Sequence, residues 1–215
     1  MLRIAHRGLP RRHPENTLPS FEAAIALGAD GIELDVHATS DGVVVVHHDP
    51  GLGDGTEIRR TTWQALRGVS GAPSASMPTL DEVCRLVGTR AELFVEIKGA
   101  GIEDAVVDVL RGYSGTAAIH SFDHALITRL ARRGVPNRLG ILVEDAPDDP
   151  RSLLEQAGAT DLWPERRAVS ARLVRDVHAA GGRVIAWTVN DPEEAQRMAE
   201  LGVDGLCTDD VSLLG

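Results

Sequence analysis

Eight short runs of aliphatic and β-branched residues recur along this chain, and stretches with helical periodicity separate most of them. The strand-like runs cover 3–6, 31–36, 93–98, 116–121, 139–143, 161–163, 183–189 and 205–208. Between them, helical patterns cover 15–27, 79–87, 102–111, 123–133, 150–157, 170–180 and 192–201. Ser170, Asp123 and the pair Asp191–Pro192 mark helix starts, and Gly28, Gly134, Gly181 and Gly202 mark stops. Parallel strands joined by helices are the economical solution to such alternation, as a closed barrel or an open doubly wound sheet. Both place functional residues at the C-terminal ends of the strands.

One element breaks the rhythm. The run 43–48 follows the second strand after only the turn-like Ser40-Asp41-Gly42. A parallel partner needs a crossover of about a dozen residues, so this run must return antiparallel, as a hairpin. That brings His48 back towards Glu33 and Asp35. The segment 50–78 then runs through Gly, Pro and Ser with weak patterning, as functional loops commonly do. No linker or repeat divides the chain, so 1–215 reads as one domain with 50–78 inserted.

At 215 residues the chain suits a single α/β barrel, and a chain of this size buries roughly 70% of its unfolded surface. A net charge of −10 argues against nucleic acid or an anionic membrane as the main partner. There is no leader-like start and no apolar run of membrane-spanning length, so stable membrane insertion is not expected and a cytoplasmic location is. Oligomeric state is left open. Cys84 and Cys207 sit far apart in apolar segments and read as reduced, buried thiols.

The chemistry-bearing residues gather at strand ends. His6 and Arg7 end the first run, Glu33 and Asp35 the second, Glu96 and Lys98 the third, and Trp187 and Asn190 the seventh. Glu33 and Asp35 stand two apart, so in a strand they share a face. Three carboxylates on one rim repel unless a cation sits among them, and hard oxygen donors favour Mg²⁺ or Ca²⁺ over zinc. Such an ion grips a phosphoryl oxygen, with Arg7 and Lys98 adding cationic contacts. His6 and His48 then fit as base and acid on opposite sides of phosphorus. Carboxylates on otherwise apolar strands are costly as mere core salt bridges. By contrast, His37 and His178 read as structural donors, His47 as turned away from His48, and Asp123, Asp191 and Asp209 as caps or loop carboxylates.

The ordered pieces His6-Arg7-Gly8, Pro14–Thr17, Glu33/Asp35 and His48-Asp49 resemble the glycerophosphodiester phosphodiesterase family. Further similar pieces are Arg60–Thr62, Val95–Lys98, Ser121–Asp123, Trp187–Asn190 and 202–210. The resemblance implies a TIM (β/α)8 barrel that hydrolyses glycerophosphodiesters to sn-glycerol 3-phosphate and an alcohol. It carries over Glu33, Asp35 and Glu96 to the metal, His6 and His48 to acid–base catalysis, and Arg7 and Lys98 to the phosphate. Trp187 becomes a substrate wall, with Glu15, Asn16 and Asp49 as a supporting shell. The chain departs from the pattern in the short segment 50–78, which bears on the leaving group and on capping of the pocket. A lysophospholipase D-like or cyclising enzyme would need an apolar groove, for which Trp63, Leu66, Val69 and Met77 are a thin supply. A silent binding barrel would have lost one of the five key residues, and all are present.

Overall fold

The computed structural model describes residues 1–68 and 77–214. Its strands are β1 (Leu2–His6), β2 (Gly31–Ala38), β3 (Val44–Val46), β4 (Glu92–Ile97), β5 (Ala117–Ser121), β6 (Arg138–Val143), β7 (Asp161–Pro164), β8 (Arg183–Ala186) and β9 (Gly205–Thr208). Helices α1 (Leu18–Ala26), α2 (Trp63–Gly68), α3 (Leu80–Val87), α4 (Glu103–Arg111), α5 (His124–Arg132), α6 (Pro150–Ala157), α7 (Ala171–Ala179) and α8 (Pro192–Leu201) complete the order. The sheet runs β1-β9-β8-β7-β6-β5-β4-β2, and pairing of β1 with β2 closes it. Closure decides between the two architectures: this is a (β/α)8 barrel of eight parallel strands.

β3 pairs antiparallel with β2 through Val36–Val46 and Ala38–Val44, as the short turn requires. The register of β1 on β2 ends at Glu33, so β3 occupies the same edge of β2 one level higher. It is an extension at the mouth, not a ninth stave. The hydrogen bond from His47 N to the Asp35 carbonyl oxygen, 3.0 Å, ties the returning chain to the strand that bears both acids.

Sequence signals for the helix ends hold. The side chains of Asp123, Ser170 and Asp191 each accept the backbone N–H three residues on, at 3.0–3.2 Å. Two expectations shift. The first helix begins at Leu18 rather than residue 15, because Asn16 adopts a left-handed φ of 56° and Thr17 is the cap. The strand expected over 183–189 ends at Ala186, so Trp187 stands on the loop beyond it.

Inside the barrel, Ile4, Phe94, Ala118, Leu142, Trp163, Ile185 and Cys207 form their own cluster. Aromatics are only 3% of the chain, yet Phe94 and Trp163 meet edge to face here, 5.3 Å apart. Glycines make the room: a Cβ on Gly31 would lie 2.5 Å from the Phe94 ring, and one on Gly140 2.9 Å from Trp163 Nε1. At the lower end, fully buried Asp161 is held by Arg138 and Arg183 at 2.8 and 2.7 Å. A larger aliphatic layer lies between strands and helices.

The inserted segment is more ordered than its composition suggests. Ile58–Arg60 form a 3₁₀ turn and α2 follows; Val45, Leu52, Ile58, Leu66 and Met77 make a separate small core. Leu66 is therefore spent on packing, and Val69 lies outside the described residues. Cys84 and Cys207 are free and buried, and burial raises the Cys84 thiol to about 11. No helix among the described residues is long and apolar enough to cross a membrane.

Candidate active site

Strand register assembles the site. His6 is level with Glu33, Asp35 with Glu96, and Glu96 with His120. Inward-facing residues two positions above the apolar plug therefore form one polar layer at the C-terminal mouth, where barrel enzymes work. A cavity of about 300 Å³ opens there, lined by His6, Arg7, Glu33, His48, Glu96, Lys98, His120 and Trp187 among others. A larger hollow lies on the loops after β6 and β7, but it contains none of this layer's acids or histidines.

The turn after β1 sets several groups at once. Arg7 has a left-handed φ of 53°, which a non-glycine residue adopts only when its surroundings hold it there. Its N–H then reaches Glu33 Oε2 at 3.2 Å. Gly8 follows at φ 90°, where a Cβ would overlap Ser20 Oγ at 2.4 Å. The Arg7 side chain spans Glu15 at 3.0 Å and Asp35 at 3.0 Å, and Asn16 donates to Asp35 Oδ2 at 2.9 Å. Glu15 and Asn16 thus stand behind the cavity as orienting groups.

His6 and His48 each lean on a carboxylate. His6 Nδ1 lies 2.7 Å from Asp209 Oδ1, and Asp209 is itself fixed by Asn190 Nδ2 at 2.6 Å. Burial lowers the His6 pKa, but the Asp209 hydrogen bond and the Glu33 charge outweigh it, so the net shift is upward. His48 Nδ1 lies 2.8 Å from Asp49 Oδ1, and His37 Nε2 meets the His48 carbonyl at 3.0 Å. His47 does not line the cavity; its Nδ1 meets the Asp49 carbonyl. Asp209, read from the sequence as a cap or loop carboxylate, lies on the loop after β9 and there seats His6. Its partner is 203 residues away, in contact only because β9 closes against β1.

The acids are crowded and nearly dry. Glu33, Asp35 and Glu96 are 3%, 0% and 8% exposed. Burial, and then the neighbouring Asp35 and Glu33 charges, push the Glu96 carboxyl up against the pull of His120 and Lys98. Burial pushes Asp35 the same way, but Arg7, Asn16 and Lys98 overcome it and hold its carboxyl low. Lys98 Nζ lies between the two, 3.2 Å from Glu96 and 3.5 Å from Asp35. Asp35 Oδ1, the atom that Lys98 approaches, is buried with no hydrogen-bond partner among the described residues. A buried anionic oxygen left with only a distant ammonium, beside two further carboxylates, is what a cation site looks like.

The donors that converge most tightly are Glu33, Glu96 and His120, each offering an atom within 4.8 Å of the others. One divalent ion with bonds of about 2.1–2.5 Å spans that gap. His120 is absent from the sequence-derived set; Asp35, expected there, stands alongside with its Oδ2 committed to Arg7 and Asn16. Trp187 lines the cavity, with Phe122 against it edge to face at 5.6 Å.

The comparisons with known proteins agree with this fold. Residues 6–213 match the model of the glycerophosphoryl diester phosphodiesterase family. A glycerophosphodiester phosphodiesterase of Caldanaerobacter subterraneus subsp. tengcongensis is 32% identical, covering 98% of this chain and 95% of its own. One from Bacillus altitudinis is 30% identical over 96% and 93%. Among solved structures, an Oleispira antarctica phosphodiesterase in complex with the product sn-glycerol-3-phosphate superposes with a TM-score of 0.90. It is 26% identical, over 100% of this chain and 95% of that one. A glycerophosphodiester phosphodiesterase from Thermotoga maritima gives 0.87 at 28% identity, over 100% and 96%. This chain belongs to the glycerophosphoryl diester phosphodiesterase family and is a phosphodiesterase built on a closed (β/α)8 barrel.

Proposed function

We propose that the chain hydrolyses glycerophosphodiesters to sn-glycerol 3-phosphate and an alcohol, using a divalent ion and the His6/His48 pair. The observation that carries the reading is the single mouth layer in which three buried carboxylates lie between two imidazoles, each seated on its own carboxylate. The product bound by the Oleispira antarctica relative supports the glycerol phosphate end of the substrate. An ion held by Glu33, Glu96 and Asp35, with Mg²⁺ or Ca²⁺ as the starting candidates, supplies Lewis-acid polarisation of a phosphoryl oxygen.

The chain's own residues do the rest. Arg7 and Lys98 bind the remaining phosphate oxygens, already held near them by Asp35 and Glu96. Asp209 accepts from His6 Nδ1, which leaves Nε2 free to take a proton from the attacking hydroxyl. That hydroxyl belongs to water, or to the glycerol moiety, in which case a water molecule then opens the resulting cyclic phosphate to give sn-glycerol 3-phosphate. His48, oriented by Asp49, returns a proton to the departing alcohol. Trp187 and Phe122 wall the exit side. Turnover of glycerophosphocholine, read by a glycerol 3-phosphate assay, tests the reaction; a cyclic phosphate as the end product would move the chain to the cyclising alternative.

The His6–Asp209 contact predicts a pH signature. A base works only when neutral, so the rate falls as pH drops through the His6 pKa, which lies above the ordinary 6.5. Asp209→Asn removes the group that holds it up. The acid limb of kcat/KM should therefore move to lower pH, with kcat reduced about tenfold or more because the favoured tautomer is lost. An unchanged limb in a folded variant would limit Asp209 to a structural role.

A further inference from the structure

His120 is the one buried ionisable group of the mouth layer that the mechanism does not use. We propose that His120 supplies a nitrogen donor to the metal ion, making the centre selective for a borderline ion such as Mn²⁺, Co²⁺ or Zn²⁺ over Ca²⁺. This rests on the metal-dependent reading above and specifies which class of ion serves it.

The ring is 1% exposed and stacks flat on Trp163, centroids 4.3 Å apart with 6° between planes. Its plane is therefore fixed, as a preorganised ligand's must be. Its hydrogen bonding is not satisfied by protein. Among the described residues Nδ1 has no partner, and Nε2 stands 3.8 Å from Glu33 Oε1, beyond hydrogen-bond distance. Buried polar atoms of this kind are rare unless a ligand completes them. A ring nitrogen lies within 4.8 Å of donor oxygens from both Glu33 and Glu96, and the group lines the cavity.

The donor type then sets the choice of ion. Glu33, Asp35 and Glu96 alone would make an all-oxygen site, which suits Ca²⁺ and Mg²⁺. An imidazole adds little for those hard ions and much for Mn²⁺, Co²⁺ and Zn²⁺, whose affinity for nitrogen rises along the divalent series. Asp35 fits this division. Oδ2 stays with Arg7 and Asn16, and Oδ1 faces Lys98 at 3.5 Å, so Asp35 offers at most one oxygen to the ion.

The test uses metal-stripped full-length protein loaded with Mn²⁺ and read by pulsed electron paramagnetic resonance, a signal independent of turnover. A ¹⁴N coupling is expected in the wild type and should vanish in His120→Gln. By calorimetry, Mn²⁺ should bind His120→Gln about tenfold or more weakly, while Ca²⁺ affinity changes less than about threefold. His120→Asn serves should the glutamine variant misfold, and the wild-type spectrum needs no variant at all. Bound Mn²⁺ without nitrogen coupling, coupling that persists in the variants, or equal losses for both ions would overturn the proposal while leaving metal-dependent hydrolysis intact. Failure of every divalent ion to bind would overturn both.

Discussion

His48→Ala is expected to lower kcat on glycerophosphocholine by about 10²–10⁴-fold, the usual share of a positioned acid or base. On a nitrophenyl phosphodiester the same variant should lose only about tenfold or less. The reason is chemical: an alkoxide leaves poorly without a proton, whereas nitrophenolate needs none. His6→Ala should lose about 10²–10⁴-fold on both substrates, because deprotonation of the attacking group is needed whichever group departs. The side-by-side ratios assign the two roles that the carboxylate-backed imidazoles suggest. Equal penalties on both substrates for His48→Ala would remove it as the proton donor.

The second large effect separates stability from activity. Burial and the charges of Asp35 and Glu33 hold the Glu96 carboxyl above its ordinary value. A carboxyl whose folded pKa is raised gives its full contribution below the unfolded pKa and loses it as pH rises through the folded one. Above its raised pKa the ionised Glu96 is thus a liability in the ion-free protein. Glu96→Gln, neutral at every pH, should leave the chelated protein at least as thermostable as the wild type, although Lys98 loses a partner at 3.2 Å. The variant should nevertheless lose about 10³-fold or more in activity. Adding the ion at about 100 times its Kd should stabilise the wild type by about 2.7 kcal/mol and the variant by far less. Thermal melts with and without ion check this. A chelated variant well below the wild type would mean that Glu96 is held for its ion pair and not for a metal.

The barrel was legible because buried parallel strands read as apolar runs and the helices between them carry their own caps, Asp123, Ser170 and Asp191. The hairpin was legible from a single connection too short for a crossover. Closed barrel against open sheet was settled in the sequence only through the family resemblance, since closure depends on whether β1 meets β9, a pairing no local pattern encodes. The same limit hid Asp209, whose role exists only across that seam. His120 was hidden differently. Within Ala117–Ser121 it is a buried polar residue next to Ser121 at the end of an apolar run, which reads as core. Only the register that sets it beside Glu96 turns it into a possible ligand. Glu33, Asp35, Glu96, His6 and His48 were visible because each ends or interrupts an apolar run with a costly polar group, and the barrel brings all five to one mouth.

The central claim is that phosphodiester cleavage at this mouth depends on a divalent ion gathered by its buried acids. Phosphorus-31 NMR of glycerophosphocholine incubated with metal-stripped protein, before and after one divalent ion is restored, tests it most directly. The account predicts no conversion in the stripped sample and steady growth of the sn-glycerol 3-phosphate resonance once the ion is added. Undiminished conversion in excess chelator would contradict it.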